Sequence, residues 1–525
     1  MSIRRVLVIG ALCGCAKDAV RESLPFEIET VPVGLDIRAK TPEPGYDPVA
    51  LAIAAGDKQM NPDPAVPAAC YTRTEQGSNT CAACHTRSSY PNLANDWELQ
   101  QNFPFFELAT NNWRNQFRDR SALVARFSDG DIATYVRTDN YEPLRTAMAT
   151  KHIAGWKPDL DFTRGFDELG FARDRSGWRA IRYKPFAGPF WPVHGNTDDA
   201  YIRLPRAFRV DAKGVESLAI YRTNLAILEA AITADPRREP AASSRVVEEI
   251  DETAGGLDLD RDGQLGIATT VVGLPDHFVG GARDVRVTPS LYPQGVELLH
   301  TVRYLDPDAP AYTARRMKEV RYATKTELLE DYALAKAHRD VENPELGPTG
   351  DPQRGYRNAL GWTLQGYIED RSGWLRLQTH EEHQFCMGCH SNLGITVDQT
   401  FSFPRKVPGA EGWRPQDPRG IPDVPALGET TPEYASYFER ARKKVEMYPS
   451  RERAFELDRA YLANVVEQSY VWGRESIAKP LADVHAKIGE RSTGLGEIDR
   501  VVRDGTLLLD WSATADADRS PAARR

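Results

Sequence analysis

The sequence predicts an α+β protein: mainly α, with irregular loops and a smaller β-containing middle region. Three observations predict it. "TKTELLEDYALAKAHRD", residues 324–340, reads as a helix. Further on, Phe455, Leu457, Tyr461, Leu462, Val465 and Val466 recur on one helical face. In the middle, "SGWRAIRYKPF" (176–186) and "AYIRLPRAFRV" (200–210) alternate apolar or aromatic with polar residues, as strands do. The 525 residues allow three or four units at roughly 150 residues each. At 41% hydrophobic and 27% charged, the chain has the make-up of a folded globular body. A net charge of -9 argues against nucleic acid as a partner, because that role calls for clustered basic surface. No apolar run reaches the roughly 20 residues of a membrane span.

The elements follow in order. "MSIRRVLVIGALCGCAKD" carries Arg4 and Arg5, then a short apolar stretch, which is the pattern of an export signal over residues 1–15. Leu12-Cys13-Gly14-Cys15 is similar to a bacterial lipobox, and that resemblance implies cleavage before Cys15 and lipidation of its thiol. Residues 16–65, with "TPEPGYDP" and "NPDPAVP", read as a tether. Residues 66–160 form a first region, in which "DGDIATYVRTDNYEPLRTAMA" (129–149) predicts helix with Asp129 or Asp131 near its start. Residues 161–345 form the middle region. "RSGW" occurs at 175–178 and 371–374, as hairpin turns would. Residues 346–525 form a second region with a helical tail.

Two stretches carry chemistry. "NTCAACHTRSSY" starts at Asn79 and "QFCMGCHSNLG" at Gln384. Both contain Cys-x-x-Cys-His. Two thiols three positions apart add to the vinyl groups of haem, and the following imidazole turns to the iron. Cys81 and Cys84 would tether one haem with His85 as ligand. Cys386 and Cys389 would tether a second with His390 as ligand. A zinc site needs four ligands close together, and a thioredoxin-like pair needs no histidine and a βαβ setting. Of the seven cysteines, Cys13 leaves with the signal, Cys15 takes lipid and four serve the motifs. Only Cys70 remains, so no disulfide framework is possible. Cys70 itself reads as a small buried residue.

On these motifs the chain resembles the dihaem c-type cytochromes, and also large dihaem lipoproteins of Gram-negative bacteria. The resemblance covers the motifs and the signal rather than the full length. It implies cytochrome c-like haem regions around the two motifs. Sixth ligands remain open. Met148 and His152 are candidates for the first haem and would share a helical face. His380 and His383 precede the second motif and are better placed for the other haem. Each also reads as an ordinary packing or surface residue.

"LDLDRDGQLGIAT" resembles the first half of an EF-hand loop. Asp258, Asp260 and Asp262 offer alternating carboxylates, Gly263 makes the turn, and Gln264 offers a carbonyl to Ca2+. Thr269 stands where that family has glutamate, so a last carboxylate has to come from elsewhere.

The expected function is electron transfer by a lipid-anchored periplasmic dihaem protein, with the outer membrane preferred, between periplasmic donor and acceptor proteins. One alternative is a peroxidase- or oxygenase-like dihaem oxidoreductase with one open haem. Another is a haem-bearing scaffold in an outer-membrane complex.

Overall fold

A computed structural model describes residues 41–55, 128–185, 197–234, 243–340, 349–369, 373–379, 382–383, 390, 393–417, 420–427 and 429–433, with the backbone of 502–503 and 506–507. The first helices are α1 (Pro48–Ala55), α2 (Asp129–Arg137) and α3 (Tyr141–Ala149). The helix expected near Asp129 and Asp131 is α2. Ser128 Oγ accepts from the Asp131 amide at 3.1 Å, and the Asp131 carboxylate accepts from the Ser128 amide at 3.2 Å. This reciprocal cap satisfies two amides that the first turn leaves without partners. Asp139 then starts α3 by accepting from the amides of Tyr141 and Glu142, so one expected helix becomes two.

Strands dominate from there. Along the chain run β1 (Arg179–Ile181), β2 (Thr197–Arg203), α4 (Leu218–Thr233), β3 (Ser244–Asp251), α5 (Glu252–Gly255), β4 (Ile267–Val272), β5 (Glu297–Leu305) and β6 (Thr313–Lys325). Then come α6 (Asp331–Asp340), β7 (Thr349–Asp351), β8 (Gly355–Arg357), β9 (Trp362–Glu369), β10 (Leu375–Leu377) and α7 (Ser402–Arg405). An eight-stranded sheet has the order β1-β2-β5-β6-β9-β8-β7, with β10 also paired to β9. Its pairings are antiparallel. β3 and β4 form a separate hairpin.

The sheet corrects the expected fold class: the described protein is built on antiparallel sheet with few helices, not mainly on helix. The reason lies largely in β6. Its sequence, TARRMKEVRYATK, carries so many charges that it does not read as a central strand. Those charges are buried in pairs instead. Arg316 Nε lies 2.5 Å from Glu369 Oε1, and Lys325 Nζ lies 2.7 Å from both oxygens of Asp398. Charges with such partners tolerate burial that isolated ones do not. Lys325 also pairs with Trp362 across the ladder. The helix expected from Thr324 therefore begins only at Asp331. Of the stretches expected as strands over 176–186 and 200–210, only Arg179–Ile181 is strand in the first, as β1, and β2 covers the second as far as Arg203, while Arg206–Arg209 form a 3-10 turn. The sheet draws β7 to β10 from beyond the expected boundary at 345. The first RSGW lies in a hairpin closed by the Phe171–Arg179 bridge; Arg371 and Ser372 of the second lie outside the described residues. The helical tail around Phe455 lies outside the described residues.

Successive side chains of a strand point to opposite faces. One face carries Ile202, Leu298, Trp362 and Leu364, covered by α4 and by the 397–413 segment. α4 is buried along most of its length, as a helix within a core must be. The other face carries Tyr201, Leu299, Tyr322 and Tyr367, covered by α3 and Trp156.

Candidate functional site

A pocket of about 930 Å³ of empty space, counted to its open mouth, lies on the first of these faces. Its floor is the sheet: Asp198 and Ala200 of β2, Leu298 and His300 of β5, Arg321 of β6, and Trp362 and Leu364 of β9. The segment around Gln399–Ser402 and His390 form another wall, and Tyr183 and His383 complete it. The lining is mostly apolar, with a few converging polar groups.

His390 is the histidine of the second Cys-x-x-Cys-His. Its Nδ1 lies 3.1 Å from the carbonyl of Gln399, and Phe401 meets its ring edge-on at 5.4 Å. Burial, helped by the Arg321 charge and by His300, pushes its pKa down to about 3. The ring is therefore neutral near pH 7, with its proton on the nitrogen that faces the carbonyl. Nε2 keeps its lone pair, the arrangement typical of a metal-ligating histidine. The turn presenting that carbonyl is held out of ordinary backbone space. Asp398 and Gln399 have φ of 52° and 58°, and the Val397–Thr400 bridge closes around them. Left-handed backbone at such residues costs of order 1–3 kcal/mol each and persists only where surroundings enforce it. Here the buried Lys325–Asp398 pair enforces it.

His383 is fully buried, and its Nδ1 lies 3.1 Å from the Thr379 carbonyl, so it is wired like His390 and lines the same pocket. The other expected candidates separate. Met148 is buried on the opposite face of the sheet with Tyr141 and Leu144, and His152 is exposed. Cys15, Cys81, Cys84, His85, His380, Cys386 and Cys389 lie outside the described residues.

Sequence reasoning missed the polar floor. Asp198 Oδ2 lies 2.8 Å from His300 Nε2, and the Tyr183 hydroxyl donates to Asp198 Oδ1. Burial and the neighbouring Asp199 charge push the Asp198 carboxyl well above its usual range. Burial and Arg321 push His300 down to about 3. Both shifts favour the neutral pair, a protonated carboxyl donating to a neutral imidazole. No local motif announces this pair, because β2 and β5 lie about a hundred residues apart, and only the register that sets Asp198 opposite Val302 and Ala200 opposite His300 brings the two side chains together.

The acidic loop folds as a string of tight turns. Asp258 Oδ2 accepts from the Gly263 amide at 2.9 Å, Asp260 Oδ1 from Asp262 at 3.1 Å, and Asp262 Oδ1 from Gln264 at 2.7 Å. The carboxylate from elsewhere is Glu252, which sequence reasoning did not name. It is buried in α5 and accepts from the amides of Leu259, Asp260 and Gly266. Carboxylate oxygens of Glu252, Asp258 and Asp260 lie within 4.8 Å of one another. Asp258 Oδ1 is buried with no hydrogen-bond partner. The Asp262 amide holds the Asp260 carboxyl down, but desolvation and the charges of Asp262, Glu252 and Asp258 outweigh it and leave the pKa raised.

The profile of a family described as "-like lipoprotein" matches residues 54–436. The protein belongs to this lipoprotein family. It is 32% identical over 426 residues to a protein of Aquifex aeolicus described as an uncharacterized lipoprotein, covering 75% of this chain and 70% of the relative. No solved structure matches significantly. These findings correct the expected membership of the dihaem c-type cytochromes: the matching family is defined as lipoproteins, and neither description mentions a cytochrome. The likeness that suggested cytochromes rests on short motifs, whereas the family match spans most of the chain. As a lipoprotein the chain is anchored to a membrane through lipid. Among the described residues no helix is long and apolar enough to cross one.

Proposed function

We propose that this lipoprotein is an electron-transfer protein on the periplasmic side of a bacterial membrane, the outer membrane preferred, carrying covalently bound haem. The observation that supports it most is His390. It stands in the wall of a mostly apolar pocket, its Nδ1 donating to the Gln399 carbonyl and its Nε2 left with the lone pair that a metal takes. Those residues fit a haem. Cys386 and Cys389 would tether it and His390 would ligate it, with Cys81, Cys84 and His85 doing the same for a second. A haem so held supplies one-electron exchange at its iron, and the protein sets the potential through ligands, hydrogen bonds and exclusion of water. Leu298, Trp362 and Leu364 exclude water, while the Gln399 carbonyl fixes the orientation of the ligand. Periplasmic proteins would be donor and acceptor.

The test is the alkaline pyridine absorption spectrum and the intact mass of the purified full-length protein. Two covalent haems are expected, and one in a Cys386→Ala, Cys389→Ala variant. A protein produced with haem-attachment machinery that carries none sinks the reading.

A second reading, an oxidoreductase working on a ligand within the pocket, draws support from the Tyr183–Asp198–His300 chain on its floor. We also propose that Glu252, Asp258 and Asp260 hold Ca2+ in a structural role, with the buried Asp258 Oδ1 facing it.

A further inference from the structure

We propose that Lys325 and Asp398 are positioning residues for His390: their buried pair fixes the turn whose carbonyl engages the ring, and so sets how strongly the imidazole donates to an iron. The inference rests on the haem reading above and adds to it the residues that tune the site.

Four observations carry it. Lys325 and Asp398 are 1% and 0% exposed, and Lys325 Nζ lies 2.7 Å from both carboxylate oxygens. The same two side chains reach further. Lys325 Nζ donates to the Leu360 carbonyl at 2.7 Å, and Asp398 Oδ2 accepts from the Tyr292 amide at 3.1 Å. One pair therefore ties the end of β6, the lead into β9 and the lead into β5 to the 397–400 turn. In that turn Val397 and Thr400 exchange amide–carbonyl bonds at 3.0 Å, with the left-handed Asp398 and Gln399 between them. The turn and the residue after it supply two contacts of the His390 ring, the Gln399 carbonyl at 3.1 Å and Phe401 edge-on. His383, in the same pocket, needs no such device: its Nδ1 meets the carbonyl of Thr379, four residues back, which also accepts from the His383 amide.

A buried ion pair is a poor way to add stability, because apolar residues of similar volume often do as well or better. What an apolar pair does not supply is direction. Lys325 holds the Asp398 carboxylate at a fixed point, and the carbonyl of the next residue is thereby aimed at the ring. A carbonyl that accepts from Nδ1–H raises the basicity of the ligating nitrogen and so favours the oxidised iron. Releasing the turn weakens that hydrogen bond and raises the reduction potential.

The experiment is a potentiometric titration of the purified full-length protein, its haem content measured first. The wave missing from the Cys386→Ala, Cys389→Ala variant belongs to the His390 haem. In Lys325→Met, Asp398→Asn that wave should rise by about tenfold in the reduction equilibrium, which is about 59 mV for one electron, and the other wave should stay. Both charges leave together, so the net charge near the iron is unchanged, and asparagine tolerates left-handed backbone as aspartate does. Arg316→Met, Glu369→Gln removes a buried pair from the other end of β6 and should move neither wave. An unmoved or lowered wave in the first variant, or an equal rise in the second, overturns the inference and leaves the haem reading standing; absence of haem overturns both. The unaltered protein gives a test that needs no variant to fold: the ring N–H proton of His390 should exchange slowly in deuterium oxide. Exchange complete on mixing overturns the inference as well.

Discussion

The two faces of the central sheet use the same strands for different ends. Tyr201 and Ile202 are neighbours, as are Leu298 and Leu299, yet within each pair one serves each core. On the closed face, Trp156 stacks on Tyr322 at 4.7 Å and meets Tyr367 at 6.1 Å, and Phe166 stacks on Tyr201. Large rings fill that side. The open face instead carries Asp198, Ala200, His300 and Arg321, which are smaller or polar, and the space left over is the pocket. The period of two lets one ladder build a filled wall and an open one at once.

That division can be broken from the closed side first, where the largest effect is expected. Trp156→Ala should lose about 3–5 kcal/mol of stability in denaturant unfolding. The absorption of haem-loaded protein should stay unchanged as long as the protein remains folded. A spectral change in the folded variant would show that the two faces are not independent.

A smaller effect is expected at the hairpin of β3 and β4, whose Val247 and Ile250 join the core on the pocket side. Calcium at a hundredfold excess over its dissociation constant should stabilise the protein by about 2.7 kcal/mol, read as a rise in melting temperature that EDTA abolishes. Glu252→Gln should remove the rise. A melting temperature indifferent to calcium and EDTA would leave the loop as a plain set of turns.

The smallest effect is expected from pH. Glu433 lies 2.6 Å from Arg405 and 2.9 Å from Lys184, next in sequence to Tyr183 of the pocket. Burial pushes its carboxyl up, but the charges of Arg405 and Lys184 and the hydrogen bonds from both outweigh it, so the pKa is lowered. A carboxylate whose folded pKa is lowered adds stability above its unfolded value of about 4.3, lost as pH falls through the folded value. Glu433→Gln should therefore destabilise at neutral pH and flatten the loss of stability below about pH 4. An acid transition as steep in the variant as in the parent would place the titrating group elsewhere.

Much of what is local was legible. The alternation in 176–186 and 200–210 marked the places of β1 and of the end of β2, the acidic start at Asp129 marked a helix, and the first RSGW falls in a hairpin. His390 could be named as a candidate because its motif is contiguous, and Asp258 and Asp260 because their spacing is. What failed is long-range. β6 was not anticipated, and the partners that let its charges be buried, Glu369 and Asp398, lie far along the chain. Glu252 reaches the acidic loop from outside the motif. Asp198 and His300 become a pair only when β2 meets β5, and no spacing within either strand signals that.

Buried ion pairs between distant segments also set the order in which an exported chain can fold. A polypeptide leaving the cell N-terminus first delivers Arg316 and Lys325 before their counter-charges Glu369 and Asp398. Until the later segment emerges, closing the sheet would bury unmatched charge, which is strongly unfavourable. The central strands thus stay open until the later segment has emerged, and under the proposed haem reading the thiol–haem bonds would form before the wall closes.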